Sequence, residues 1–236
     1  MISRQGRNSH ARNRLRLLAG RRSKRSAFGI AALVLVGWGG APGPATAETF
    51  LALPDGKITR DLGDGTGVTV SLTGESAKLN PGLVAGRRNL WVSGRGGVEV
   101  TGRDAATAAT KIYPGYVVAC QADIDALSTV GNSATSLAGM APTDAPDRSR
   151  MITLASGRTI ARYLLDIRPR EQSSVPGRVY HQVFGRQGSV TWTDEPFSID
   201  GCNGGTARAR SFVRVDISTA RAESRVTLWG EPFNIG

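Results

Sequence analysis

Hydrophobic and polar residues alternate along much of this chain with a period of two. Val68, Val70 and Leu72 interleave with Thr69, Ser71 and Thr73, and Val213, Val215 and Ile217 interleave with Arg214, Asp216 and Ser218. Successive side chains of a strand point to opposite faces, so this alternation predicts half-buried β-strands. Val226 and Leu228 continue the theme after a short gap. β-Branched or aromatic runs at Leu90–Ser93, Val98–Thr101, Ile112–Cys120, Met151–Leu154, Ile160–Ile167 and Val190–Thr193 predict further strands. Turn-forming residues punctuate these runs at Gly63–Gly65, Asn80–Gly82, Gly94–Gly97, Pro176-Gly177 and Asn203–Gly205. No stretch sustains a helical period. The expected fold class is all-β, a sandwich-like domain.

Two features depart from this rhythm. The stretch from Asp125 to Arg150 is rich in Ala, Ser, Thr and Gly, and it ends in Pro142-Thr143-Asp144-Ala145-Pro146-Asp147-Arg148. So long an interruption in a strand-dense chain reads either as a functional element or as a flexible loop. The second feature is an internal echo. Val190-Thr191-Trp192 leads to Glu195-Pro196-Phe197, and Val226-Thr227-Leu228-Trp229 leads to Glu231-Pro232-Phe233. In each copy the Pro is expected to stop ladder donation after a strand, leaving the Phe to tuck onto the core.

Charge changes the picture chiefly by its location. The formal net charge is +11, but nine of the 30 Lys and Arg precede residue 48, where no Asp or Glu lies. The other 21 (30 less nine) face 19 acids, so the body is nearly neutral and has no general pull toward a phosphate backbone. The basic N-terminal stretch runs into an apolar segment, Ala27–Trp38, and then Ala45-Thr46-Ala47. That order reads as a secretory signal, with residues 1–47 expected to be removed and 48–236 expected to form the exported domain; an uncleaved anchor is the alternative. The apolar segment is short for a bilayer span, and no second one follows.

Cys120 and Cys202 are the two cysteines. An even count in an exported chain predicts a disulfide, with two buried thiols as the alternative. His181 is the one histidine after the signal, and no Gly-x-Ser-x-Gly elbow accompanies it. It reads as a strand surface residue. Gly63-Asp64-Gly65-Thr66-Gly67 lacks the Lys-Ser/Thr ending of a phosphate loop and reads as a turn. Asp123 and Asp125 are a conceivable acid/base pair of a kind any chain this size offers. A secreted hydrolase is therefore the least supported function, and no catalytic residue, metal site or cofactor is expected.

The C-terminal segment carries a more specific signal. Ala209-Arg210-Ser211-Phe212-Val213, followed by Val226-Thr227-Leu228-Trp229-Gly230-Glu231-Pro232-Phe233-Asn234, resembles the ending of the MspA-type porin family of mycolate-containing actinobacteria. Thr66–Val70, Val98–Val100 and Ile112–Cys120 resemble earlier family strands in the same order, and Cys120 and Cys202 resemble the positions of a family disulfide. The resemblance implies a β-sandwich rim domain in a homo-oligomeric ring. Each subunit would lend a β-hairpin to a shared barrel through outer-membrane lipid, passing small hydrophilic solutes or ions without cofactor, catalysis or nucleic acid. In family order the stem falls at 125–150, with Asp144, Asp147, Arg148 and Arg150 as candidate pore-lining charges. A shared barrel is physically sensible because a lone hairpin would leave backbone polar groups unpaired in lipid. The alternative is an exported envelope module of the same fold that forms no channel, since 125–150 lacks Trp, Tyr and Phe and keeps no period of two.

Overall fold

The structure is a computed structural model, and it describes residues 48–82, 86–125, 151–167 and 177–236. The proposed signal over 1–47 and the candidate pore charges Asp144, Asp147, Arg148 and Arg150 lie outside the described residues. Within them the chain forms β1 (Thr49–Ala52), β2 (Gly56–Asp61), β3 (Gly67–Pro81) and β4 (Arg88–Thr101), and then a short 3₁₀ turn, Arg103–Thr107. There follow β5 (Ala109–Cys120), β6 (Met151–Leu154), β7 (Thr159–Tyr163), β8 (His181–Phe184), β9 (Gln187–Gly201), β10 (Ala207–Ser218), β11 (Glu223–Trp229) and β12 (Phe233–Asn234).

These strands make two sheets of six. One runs β1-β3-β4-β9-β6, with β2 also on β3; the other runs β11-β10-β5-β7, with β12 also on β10 and β8 also on β5. All pairings are antiparallel except β6 with β9. Val68, Val70, Leu72, Leu90 and Val92 of the first sheet join Ile112, Val118, Val213 and Val215 of the second in one buried cluster. This is the β-sandwich-like arrangement that the alternation predicts. A second cluster covers the other face of β5 and β10, where Tyr113, Val117 and Phe212 pack with Ile124, Tyr163 and Val179. Coverage on both faces explains why every residue from Ile112 to Cys120 is buried rather than every other one.

Three local expectations change. Gly94–Gly97 is no turn but the middle of β4, which joins the two runs read as separate strands. The glycines serve close packing. A Cβ at Gly94 would come within 2.7 Å of the Trp192 ring, and one at Gly96 within 3.1 Å of Val213. Pro196 does not end a strand; it lies inside β9 opposite Trp91, just before β6 begins to pair at Ser198. There β9 has β4 alone as a ladder neighbour, so the missing Pro N–H leaves no second strand short of a donor. The Ile160–Ile167 run stops as a strand at Tyr163, and Ile167 then bridges Arg178.

Two bulges shift the side-chain alternation. In β3 the register against β4 slips between Thr73 and Ser76, with Gly74 at φ 61°. The inward set therefore changes from Val68, Val70 and Leu72 to Glu75 and Ala77. In β9 the register slips where Val92 and Gly94 face Glu195 and Trp192, beside Asp194 at φ 47°.

Candidate functional site

The described chain leaves the sandwich at Asp125 and returns at Met151, so the roots of the 125–150 segment are where a functional element would attach. The outgoing root starts at the end of β5. Cys120 is disulfide-bonded to Cys202, whose Cα lies 5.5 Å away. Cys202 follows β9, so the bond ties the second sheet to the first. The incoming root is fastened to the same corner. β6 pairs with Ser198–Gly201, and Cys202 N–H donates to the Leu154 carbonyl at 2.8 Å. Gly157 N–H donates to the Cys120 carbonyl at 2.8 Å.

Two arginines of β10 hold the outgoing root. Arg208 meets the Asp125 carboxylate with both terminal nitrogens, at 2.9 and 3.0 Å. Arg210, almost wholly buried, donates to the Ile124 and Asp125 carbonyls at 3.1 and 3.3 Å and to the Gly230 carbonyl at 2.7 Å. Its guanidinium lies 5.7 Å from the centre of the Trp229 ring, a cation–π distance. Burial pushes the Arg210 pKa down, with Glu231 and Asp125 opposing that shift. Ile124 itself is fully buried against the outer face of the second sheet. The chain is thus pinned by one apolar plug and a fork of charge-assisted bonds immediately before the segment begins.

The terminal Gly-Glu-Pro-Phe stretch creates the receptor for Arg210. β11 pairs with β10 up to Trp229–Phe212, and β12 resumes at Phe233–Ala209. Between them Gly230-Glu231-Pro232 departs from the ladder opposite Arg210 and Ser211, and the Gly230 carbonyl turns to the guanidinium. The family model described as MspA matches residues 64–234. This chain belongs to the MspA family. The match runs from the turn before β3 to β12 and spans both roots and the segment between them. MspA membership supports a porin-like, non-catalytic role in the cell envelope. No curated protein gives a significant match to this MspA-family chain.

The other residues singled out by sequence fall apart as a site. Asp123 accepts the Asp125 N–H at 2.8 Å, and the Asp125 carboxylate is engaged by Arg208, so these acids cap a turn. Asp61 and Asp64 likewise accept the N–H groups of Gly63 and Thr66, closing the glycine-rich turn. His181 opens β8 opposite Ile112, half-buried. Among the described residues no three His, Cys, Asp or Glu side chains converge as metal ligands. Among them also no helix is long and apolar enough to cross a membrane, which says nothing of a β-barrel.

Sequence reasoning missed Arg208 and Arg210. A signal was present: β10 places Arg208, Arg210, Phe212 and Arg214 on one face, opposite the apolar Ala209 and Val213. What it lacked was the knowledge that Ile124 and Trp229 cover that face.

Proposed function

We infer that this MspA-family protein is a subunit of an outer-membrane porin of a mycolate-containing actinobacterium, passing small hydrophilic solutes and ions by passive diffusion. The observation that carries this reading is the family match over 64–234, which covers β3 to β12 and the 125–150 segment. The anchored roots support it: a hairpin lent to a shared barrel transmits load to its own subunit through its two ends. On this reading 1–47 is a cleaved export signal, subunits associate in a homo-oligomeric ring, and 125–150 is the stem. Asp144 and Asp147 then line the channel, with Arg148 and Arg150 tuning its mouth.

A second reading is favoured by the composition of 125–150, which has no aromatic girdle residue. Under it the protein is an exported envelope module that keeps the rim domain and forms no channel. Planar-bilayer conductance of the purified protein, beside a variant lacking Asp125–Arg150, decides between them. Stepwise conductance lost in the deletion supports the porin. A folded, oligomeric protein that gives no steps supports the module.

A further inference from the structure

Among the described residues, one acid lies inside the sandwich. Glu75 is 2 % exposed, placed inward by the β3 bulge rather than by the strand's alternation. Around it lie Tyr116 of β5, Ser211 of β10 and Gly230 after β11. Tyr116 Oη donates to Glu75 Oε1 at 2.9 Å. Glu75 Oε2 and Ser211 Oγ are both buried without a hydrogen bond of normal geometry, and a Cβ at Gly230 would overlap Ser211 Oγ and approach Oε2 to 2.8 Å. The bulge itself is fastened: Asp55 accepts the Gly74 N–H at 2.8 Å, and Leu53 N–H donates to the Glu75 carbonyl at 2.9 Å. A buried carboxyl without a cation is an arrangement that native cores avoid, because an isolated charge there is costly.

We propose that Glu75 is a proton-held latch: its neutral carboxyl clips the β3 bulge to β5 and β10 across the sandwich, and its ionisation loosens that junction. The neutral form can donate its O–H to Ser211 Oγ while accepting from Tyr116, which satisfies the orphaned pair. On ionisation the O–H bond breaks, the electron pair stays on the carboxylate and the proton passes to solvent water. Nothing is oxidised or reduced. Among the described residues no counter-charge is then paired with the carboxylate. Lys111 on β5, Arg208, Arg210, Arg214 and Asp216 on β10, and Arg225 on β11 all fall at positions alternate to the inward ones. Glu195 of β9 is half-buried and Glu231 beside Gly230 is exposed, and neither contributes to the titration of Glu75. Burial pushes the Glu75 carboxyl up to about 7, and the neighbouring Ser211 and Tyr116 hydroxyls offset that only in part.

The direction of the effect follows. The folded state holds the proton more tightly than the unfolded chain, so stability is full below the ordinary glutamate range. It is lost as pH rises through about 7. Across that window the folded-to-unfolded ratio should drop roughly tenfold per pH unit. The test is thermal melting of the full protein between ~pH 5 and ~pH 8, with Glu75→Gln, Tyr116→Phe and, as a histidine control, His181→Gln. The wild type and His181→Gln should lose stability as pH rises, whereas Glu75→Gln should be flat. Tyr116→Phe removes a donor to the charged form and should move the midpoint upward. Infrared difference spectra should show a neutral carboxyl C=O band that titrates with the same midpoint and is absent in Glu75→Gln. A wild-type slope retained in Glu75→Gln, or abolished in His181→Gln, overturns the latch. Should Glu75→Gln not fold, an unmoved midpoint in Tyr116→Phe overturns it instead.

Discussion

Arg208 grips Asp125 through two parallel bonds of 2.9 and 3.0 Å, while its neighbour Arg210 holds the backbone of the same residue from a buried position. The two arginines act on one point of the chain, but their worth differs by environment. The Asp125 side chain is half-exposed, and ion pairs in water contribute little. Arg208→Ala should cost under about 1 kcal/mol. Arg210→Ala leaves the carbonyls of Ile124 and Gly230 short of donors and uncovers Trp229, and should cost about 2–3 kcal/mol. Urea denaturation of both variants measures the difference. Limited proteolysis should cut faster between Asp125 and Met151 in Arg210→Ala alone.

The disulfide closes a sequence separation of 82 residues and joins the two sheets at the corner where both roots attach. In the chain-entropy view a loop of that length contributes roughly 4 kcal/mol. Replacing both Cys120 and Cys202 by Ala should lower stability by that order. Calorimetry of the wild type with and without reductant should reproduce most of the loss.

The two echoed segments converge on one ring. Phe197 and Phe233 lie 5.8 and 6.3 Å from Tyr116, centroid to centroid. Both phenylalanines are buried, so truncation of either to Ala should cost about 3–5 kcal/mol. Because they share Tyr116, the double variant should depart from additivity by about 0.5 kcal/mol or more. A thermodynamic cycle by chemical denaturation tests this, and strict additivity would count against a common packing role.

Gly115 lies where β5 passes under Phe212. A Cβ there would overlap the Phe212 ring and the Arg162 carbonyl. Gly115→Ala should therefore destabilise by about 1–3 kcal/mol or more, since the ring and the backbone must both shift. Gly204, at φ 71° in an open turn with nothing nearby, offers a contrast. Its substitution by Ala strains one backbone position without any clash, and melting curves should show the smaller loss.

If 125–150 lines a channel, a ring of subunits multiplies each of its charges. Asp144→Asn combined with Asp147→Asn should weaken cation preference in reversal-potential measurements on single channels. Unchanged selectivity would remove these two aspartates from the lining.

Strand identity was readable wherever one face is buried and the pleat is regular. Val68 to Leu72, Val213 to Ile217 and Met151 to Leu154 all lie in strands as their patterns predict. The cysteine pair was equally readable, because an even count in an exported chain leaves few alternatives, and the bond between Cys120 and Cys202 is present. Readings that depended on local turn chemistry fared worse. Gly94–Gly97 has the composition of a turn, yet the Trp192 ring requires small residues beneath it. That requirement comes from a strand some hundred residues away.

The all-β class, the pairing of Cys120 with Cys202 and the resemblance to the MspA family are legible in the residues alone. Each rests on residues whose meaning is local: a period of two, a count, or an ordered motif. Which polar groups lie inside depends on how distant segments pack. Strict alternation would send Gly74 inward and Glu75 to solvent, but one extra residue in β3 reverses them. Arg210 became an anchor only when Ile124, Trp229 and Gly230 gathered around it. A bulge or a covering loop costs little sequence signal, whereas it changes the dielectric around a charge and hence what that charge can do.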